Sequence, residues 1–517
     1  MKRSRRTALI ATIATFVVAA ALTTTGADAA TRSAVNPNGV LKYARDLPNA
    51  FGDNFDPATE VNDCSYGVTN LIFESLTRDG SNTKVSGGVA ESWEVDASHT
   101  TVTMHLRQGN VFSDGTPVDA NAVKASILNI KKSPLRTSLA IITTIDTPDP
   151  NTVVFHLSKP VAGDFLWALT YIDGQIVAPS ALTTADSKPV GSGPFMLSTY
   201  RPDQLISLKK NPKSRLASQY KLAGVDFVQV GSGPQAVTAL KSDQVDMIDL
   251  RPEDYPTVKA DPKLAISTTP SLDYTMIQLR QDRAPFDNDK VRAALEFAVD
   301  RQEIDRVVYN GRNEVADQPF PKGTAGHDPA LSGKYSYQPK KAKKMLAAAG
   351  FAKGVSFDMV IPAGAPTFER MAPLLKNEMA RAGFTVNIKR VPGGQILDTV
   401  YLHKESNAFL SVALTNGPAL WNNFQSNYSQ GGFVAATMGS RRPEIEALVS
   451  EARVSLDPKV FGPPMLKAGR LIMQEGLEVP LVFEQGMVAY NKARVGGPPK
   501  APIGSCRSNL EGVFIKK

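Results

Sequence analysis

The sequence predicts an α/β protein that folds into more than one compact unit. Strand-like and helix-like segments alternate through most of the 517 residues, with glycine and proline clusters between them. About 490 residues remain once an N-terminal export segment is set aside, and this length exceeds what one hydrophobic core usually holds. We therefore expect two or more compact units, and no fixed-period repeat is present.

The N-terminus has the pattern of an export signal. Four basic side chains lie among the first six residues, an apolar run covers 8–22, and Ala-Asp-Ala occupies 27–29. We predict that residues 1–29 are a cleaved signal peptide and that the protein is extracellular or periplasmic. A membrane anchor is the alternative, but the apolar run is shorter than the roughly 20 residues of a spanning helix. No other stretch is long and apolar enough to span a bilayer, so we expect no integral membrane segment in the mature chain.

Residues 86–117 contain the clearest local pattern. Trp93 and Val95, and then Val102, Met104 and Leu106, alternate with polar residues, which predicts two half-buried strands joined by a turn at 96–98. The Asp-Gly-Thr-Pro sequence at 114–117 predicts a stiff turn that leads into a helix near 121–130.

Later segments predict further elements. Val291, Leu295, Ala298 and Val299 fall on one helical face, with Arg292 and Glu296 outside it and a cap at 287–289. We assign Arg292, Asp300 and Arg301 to ion pairing and capping. We also predict strands at 204–209, 356–361, 385–391 and 479–484, and helices at 339–349, 368–382, 443–454 and 464–475.

No pattern of catalytic residues is present. The five histidines form no metal-binding spacing, and no G-x-S-x-G elbow occurs. A Gly-Ser-Gly-Pro sequence at 231–234 lacks the following Lys-Ser/Thr of a phosphate loop. The net charge of +8 is spread along the chain rather than gathered into a patch. We therefore expect no enzyme activity, no metal, no cofactor and no nucleic-acid partner.

Three blocks, at 86–117, 189–197 and 271–305, resemble the extracellular solute-binding proteins of family 5, which feed ABC importers of the oligopeptide, dipeptide and nickel class. This resemblance implies a two-lobed periplasmic-binding-protein-like fold of type II. It implies a discontinuous lobe one at 36–278 plus 485–517, with an inserted subdomain near 71–185, and lobe two at 279–484.

The same resemblance implies a function. We expect a monomer that captures an oligopeptide or peptide-like small molecule in an interlobe cleft by hinge closure. It would then deliver this ligand to the permease subunits of an ABC importer. The alternative is an exported sensor or biosynthetic-pathway accessory that binds a small molecule without import.

The two cysteines of the chain are relevant to a lipid anchor and to a disulfide. Neither Cys64 nor Cys506 lies at the cleavage site, so we expect no lipid anchor. Since both chain ends of this family return to the same lobe, the two cysteines are candidates for a disulfide. Separately buried thiols are the alternative.

The candidate binding residues also follow from the resemblance. The family's ligand loop, which usually carries an aspartate for the ligand's ammonium, corresponds here to 413–424 and contains no acid. Asn416, Trp421 and Asn422 would instead offer neutral hydrogen bonds and stacking, whereas the alternative places Trp421 and Phe424 in the core.

Candidates on the other wall of the cleft are chosen only because the family's matching segments border the cleft. One of the acids there would replace the missing aspartate. Arg280 would bind a carboxylate or form an interlobe salt bridge. The full set is Asn54, Asp56, Asn62, Asp63 and Tyr66 in lobe one, Gln278 and Arg280 at the first crossover, and Glu484 and Gln485 at the second.

Overall fold

The computed structural model describes residues 34–45, 54–60, 65–79, 84–133, 136–413, 421–500 and 509–517. The predicted signal peptide and the candidate disulfide between Cys64 and Cys506 lie outside these residues. Within the described ranges, every helix is too short or too polar to cross a bilayer.

The structure is a mixture of strands and helices, as the sequence predicts. The strands are β1 (Val40–Arg45), β2 (Thr77–Asp79), β3 (Val85–Gly87), β4 (Ala90–Val95), β5 (Thr101–Leu106), β6 (Ile142–Asp149), β7 (Thr152–Leu157), β8 (Phe195–Arg201), β9 (Leu205–Lys210), β10 (Gly224–Gln229), β11 (Met247–Asp249), β12 (Leu264–Leu279), β13 (Val355–Pro362), β14 (Phe384–Val391), β15 (Ala408–Ala413), β16 (Glu478–Asn491), β17 (Val495–Gly496) and β18 (Phe514–Ile515). The helices are α1 (Tyr66–Ile72), α2 (Ala120–Lys131), α3 (Ala162–Ala168), α4 (Pro234–Lys241), α5 (Tyr255–Lys259), α6 (Asp289–Glu296), α7 (Arg301–Val308), α8 (Pro339–Ala348), α9 (Pro366–Arg381), α10 (Trp421–Tyr428), α11 (Phe433–Met438), α12 (Pro443–Ala452) and α13 (Pro458–Glu475).

Two long antiparallel strands join the halves of the largest sheet. Its order is β14-β13-β15-β12-β16-β11-β1-β10-β9-β8. Strands β12 and β16 pair with each other in the middle of this sheet; β12 also pairs with β15 on one side, and β16 pairs with β11 on the other. The register between β12 and β16 is irregular between Pro270 and Tyr274. We call this pair the crossover ribbon. Lobe one denotes β1 and β8–β11 with their helices, and lobe two denotes β13–β15 with theirs; the predicted domain boundaries stay a prediction.

The block at 86–117 has the predicted local structure. Strands β4 and β5 pair antiparallel, and the exposed and buried positions of β5 alternate. At the turn, Gly115 has a φ of +98°, a conformation that favours glycine, and the carboxylate of Asp114 accepts the backbone N–H of Thr116 at 2.9 Å. Helix α2 follows, capped by Asp119, whose side chain accepts the N–H of Ala122.

The predicted amphipathic helix ends before Ala298 and Val299, and a second helix follows it. Helix α6 ends at Glu296, and Asp300 then caps α7 by accepting the N–H of Glu303 at 3.1 Å. The prediction that Arg292 and Glu296 lie outside the buried face was wrong, since their exposed fractions are 4% and 0%. Burial is tolerated because Arg301 forms an ion pair with Glu296, and Arg292 donates to backbone carbonyls.

The last long helix begins earlier than predicted. Helix α13 starts at Pro458 and not at 464, because the carboxylate of Asp457 accepts the N–H of Lys459 at 2.9 Å and caps the first turn. Proline at the first helical position fits this start, since its missing N–H would have no helical partner there. The segments predicted at 339–349, 356–361, 368–382, 385–391 and 443–454 correspond to α8, β13, α9, β14 and α12, each within two residues at either end.

Candidate ligand site

A cavity lies beside the crossover ribbon, where the two lobes meet. Its volume is about 350 Å³. A second cavity of about 310 Å³ adjoins it, and the two share Arg251, Thr367 and Glu484. Lobe one, lobe two and the ribbon all contribute to the first cavity, and its charged and polar lining residues are Arg45, Ser232, Asp249, Arg251, Ser271, Asp273, Tyr309, Arg312, Asn313, Thr367, Glu484 and Gln485.

The irregular middle of the ribbon brings several polar side chains to the cavity wall. Pro270 pairs with Gln485 and Tyr274 pairs with Phe483, so three residues of β12 lie opposite Glu484 alone. This bulge places Ser271 and Asp273 on the same wall as Glu484 and Gln485. The hydroxyl of Ser271 accepts the N–H of Asp273 at 3.0 Å and thereby fixes the bulge.

Glu484 is half-buried in this wall. The hydroxyl of Tyr309 donates to its carboxylate at 3.3 Å. Burial, followed by the nearby negative charge of Asp273, raises the pKa of Glu484 to about 7. The side chain is still partly accessible through the cavity. The carboxylate is therefore poorly solvated and close to a like charge.

Gln485 presents a second kind of acceptor. Its amide nitrogen donates to the carbonyl of Arg312 at 2.8 Å, which fixes the amide orientation. The amide oxygen is buried and accepts no hydrogen bond from the described residues. A buried acceptor without a donor is costly, so this atom favours a donor supplied from the cavity.

Basic side chains occupy the lobe-one wall. Arg45 forms an ion pair with Asp249 at 3.5 Å, and its guanidinium lies 5.0 Å from the ring centroid of Tyr43. Arg251 donates to the hydroxyl of Ser232 at 2.5 Å. The cavity thus combines acidic groups on the ribbon with basic groups on lobe one.

Direct contacts between the lobes lie beside the cavity. The guanidinium of Arg312 from lobe two lies 3.8 Å from the ring centroid of Tyr255 in lobe one, and the amide of Asn310 donates to the carbonyl of Pro252 at 2.9 Å. Elsewhere, Asp164 of α3 forms an ion pair with Arg453, the residue that follows α12. These contacts hold the lobes together around the site.

Of the predicted crossover residues, Gln485 and Glu484 line the cavity, whereas Gln278 and Arg280 do not. The guanidinium of Arg280 is fully buried and donates to the backbone carbonyls of Val400, Ser406 and Thr437. Such contacts favour a structural role for Arg280. Gln278 is buried and accepts the hydroxyl of Tyr401 at 2.9 Å.

The described part of the ligand loop lies mostly in the core. Trp421 is 1% exposed, belongs to the lobe-two core and packs edge-on against Phe461 at 5.8 Å. Phe424 is 0% exposed in the same core. These positions favour the core alternative for both residues. Asn422 is exposed on α10, and Asn416 lies outside the described residues.

The lobe-one candidates lie away from the cavity lining. Asn54 and Asp56 stabilise a turn, in which the carboxylate of Asp56 accepts the N–H of Ala58 at 2.9 Å. Tyr66 donates to the carbonyl of Thr170 at 2.8 Å. Asn62 and Asp63 lie outside the described residues.

Several lining residues were missed by the sequence interpretation, notably Arg45, Arg251, Asp273 and Arg312. A signal for one of them exists, because Asp273 interrupts an apolar strand in the way that Glu484 does in β16. A charge inside a buried strand is costly and indicates a function or a partner. Arg45 and Arg251 lie at or just beyond strand ends, and Arg312 follows helix α7. At such positions the sequence gives no comparable signal.

Comparison with known proteins identifies the family. The sequence profile of the bacterial extracellular solute-binding proteins, family 5 Middle, matches residues 84–434. The chain is 25% identical over 461 residues to the probable D,D-dipeptide-binding periplasmic protein DdpA of Escherichia coli, covering 84% of this chain and 87% of that protein. It is 27% identical over 504 residues to heme-binding protein A of Haemophilus influenzae, covering 87% and 88% of the two chains.

A solved structure supports the same fold. The periplasmic binding protein DppA of Helicobacter pylori, in complex with the peptide STSA, superimposes with a TM-score of 0.76 at 22% identity, covering 93% of this chain and 98% of that one. At this identity the similarity establishes the two-lobed fold predicted from the three sequence blocks. Because the family profile matches well over half of the sequence, the chain belongs to the bacterial extracellular solute-binding proteins of family 5.

Proposed function

We propose that the protein is an exported, monomeric binding protein, and not an enzyme, that captures a short peptide or peptide-like solute in the interlobe cavity. It would deliver this solute to the permease subunits of an ABC importer. The cavity between the lobes is the observation that carries the proposal, because binding proteins trap their ligands where a hinge brings two lobes together.

The lining chemistry supports a peptide-like solute over a large apolar one. Among the described lining residues are three arginines and three carboxylates, and none of them is a histidine or a cysteine. A peptide carries both charges and a polar backbone that such a wall can bind. A flat macrocycle such as the heme of the Haemophilus relative would instead need broad apolar faces and an axial ligand.

Filling the cavity tests this proposal. Thr367 lies on the wall of both cavities, at the start of α9, so Thr367→Trp should obstruct them. Native mass spectrometry of the mature protein, incubated with a mixed-sequence library of di- to pentapeptides, should show retained peptide for the unmodified chain. We expect at least a tenfold loss of retention for Thr367→Trp.

The control is Thr238→Trp, an equal change on the exposed side of α4. It should retain peptide as the unmodified chain does. Absence of any retained peptide in the unmodified chain, or equal retention by both variants, would overturn the proposed site.

A further inference from the structure

A second junction between parts of the molecule lies outside the cavity lining. The four-stranded sheet of β4–β7, with α2 and α3, has a hydrophobic core of its own, and we call it the four-stranded unit. Helix α3 of this unit contacts residues 453–456, which connect α12 to α13 in lobe two. Among the described residues, the lining of the cavity includes neither α3 nor 453–456.

The four-stranded unit is attached to lobe one. The guanidinium of Arg215, which follows β9, donates to the carbonyl of Gly88 at 3.1 Å. The N–H of Ser113 donates to the carbonyl of Gly191 at 3.0 Å. Val190 packs against the core of lobe one and against the core of the unit. We therefore expect the unit to move with lobe one when the lobes separate.

Polar contacts cross the junction from α3 to lobe two. The N–H of Gly163 donates to the carbonyl of Val454 at 3.2 Å, and the N–H of Asp164 donates to that of Arg453 at 3.1 Å. Both N–H groups belong to the first turn of α3, where the helix itself has no acceptor for them. Nε of Arg453 also donates at 3.0 Å to the carboxylate of Asp164, a residue that is only 5% exposed.

The two surfaces also fit closely. A Cβ added at Gly163 would lie 2.7 Å from backbone atoms of Ser455, which is too close for van der Waals contact. Leu456 packs against the core of lobe two and against that of the four-stranded unit. Trp167 of α3 belongs to the lobe-two core. The junction is thus packed as an interior contact, although the lobe-two segment is distant in sequence from α3.

We propose that α3 and residues 453–456 form a latch that holds the lobes closed, with Asp164 and Arg453 as positioning residues that set ligand affinity without touching the ligand; this inference rests on the proposed function. The crossover ribbon connects the sheets of the two lobes, so the lobes can separate about the ribbon only if the latch breaks. A ligand that binds the closed state loses affinity in proportion to the loss of that state.

Removal of the cation tests the ion pair. In Arg453→Met, the carboxylate of Asp164 would be buried without a partner in the closed state but hydrated in the open state. We expect the affinity for peptides to fall by about tenfold or more. Adding Asp164→Asn to Arg453→Met removes the unpaired charge, so this double variant should return to within about threefold of the unmodified chain.

Gly163→Ala tests the close approach without changing a charge. Alanine suits the helix better than glycine does, so the folded unit should not be destabilised. The added Cβ meets Ser455 only when the latch is closed, and we expect about a tenfold loss of affinity. The matched controls are Gly431→Ala, whose Cβ would meet no atom within 4 Å, and Arg306→Met, which breaks an exposed ion pair. Both controls should bind as the unmodified chain does.

The test measures closure and binding separately. Hydrogen exchange of the ligand-free mature protein, resolved by mass spectrometry at the amides of Gly163 and Asp164, reports the two hydrogen bonds across the junction. Exchange should be at least about tenfold faster in Arg453→Met and Gly163→Ala than in the unmodified chain and the controls. Native mass spectrometry with a library of di- to pentapeptides measures retention, and thermal unfolding confirms that each variant is folded.

The outcomes separate the latch from the proposed function. If peptides are retained equally by Arg453→Met, Gly163→Ala and the unmodified chain, the latch is wrong and the proposed function stands. This holds even if Arg453→Met unfolds at a lower temperature, because the ion pair is then a structural contact only. Equal exchange at the two amides in every variant also overturns the latch. If exchange differs as expected but no variant retains peptide, the latch stands as a closure contact and the peptide assignment is wrong.

Discussion

The buried Glu296 and the half-buried Glu484 have similarly raised pKa values but differ in their surroundings. Burial raises the pKa of each to about 7. Glu296 faces Arg301, whose guanidinium also donates to the carbonyls of Ala316, Pro480 and Tyr335. Glu484 faces a second carboxylate and a cavity. The comparison teaches that a raised pKa alone does not identify a binding site, whereas the cavity beside Glu484 distinguishes this residue from Glu296.

Removal of the counter-charge at Glu296 should have the largest effect. We expect Arg301→Met to lower the free energy of unfolding by about 3–5 kcal/mol at neutral pH, because a buried carboxylate loses its partner. Urea unfolding measures the loss. The control is Arg306→Met, which breaks an exposed pair with Glu303 and should cost about 1 kcal/mol or less. Equal losses in the two variants would contradict the structural role of Arg301.

Trp421 tests the same contrast between core and cavity. Trp421 packs against Phe461 in the core. Trp421→Ala should therefore lower the free energy of unfolding of the ligand-free protein by roughly 3–5 kcal/mol. The peptide affinity of the folded fraction should remain within about threefold of the unmodified chain, as measured by calorimetry. A loss of peptide affinity without a loss in the free energy of unfolding would instead show that Trp421 lines the cavity.

Much of the fold was predictable, because local patterns decide it. The alternation at Val102 and Met104 predicts β5, and the turn at Gly115 is set by its own residues. The end of the helix that contains Val291 and Leu295 was not predictable, because apolar spacing continues through Ala298 and Val299 although the helix ends at Glu296.

The site was less predictable. Gln485 and Glu484 followed from the position of the crossover, but their partner Asp273 depends on the bulge between Pro270 and Tyr274, and such a register shift is set by tertiary pairing. Trp421 was assigned to the site although it lies in the core. An aromatic residue near a ligand loop has the same sequence pattern whether it faces the ligand or the core.

The smallest predicted change concerns stability and pH at Glu484. The folded-state pKa of about 7 exceeds the ordinary value of 4.5, so the stability that Glu484 contributes is present below pH 4.5 and is lost as pH rises through 7. Glutamine does not titrate, so Glu484→Gln should not lose stability over this pH range. Its free energy of unfolding should match that of the unmodified chain near pH 4.5 and exceed it by at most about 3 kcal/mol at pH 8.

Chemical unfolding across this pH range measures the difference. Glu296→Gln, in contrast, should not gain stability at high pH, because Arg301 then loses its buried counter-charge. A similar gain in both variants would remove the distinction between the two glutamates.

The most direct measurement is a crystal structure of the mature protein with a peptide that it retains from the library of di- to pentapeptides. The account predicts the peptide in the cavity between the lobes, against the wall of the crossover ribbon that includes Glu484 and Gln485. A peptide bound outside this cavity would contradict it.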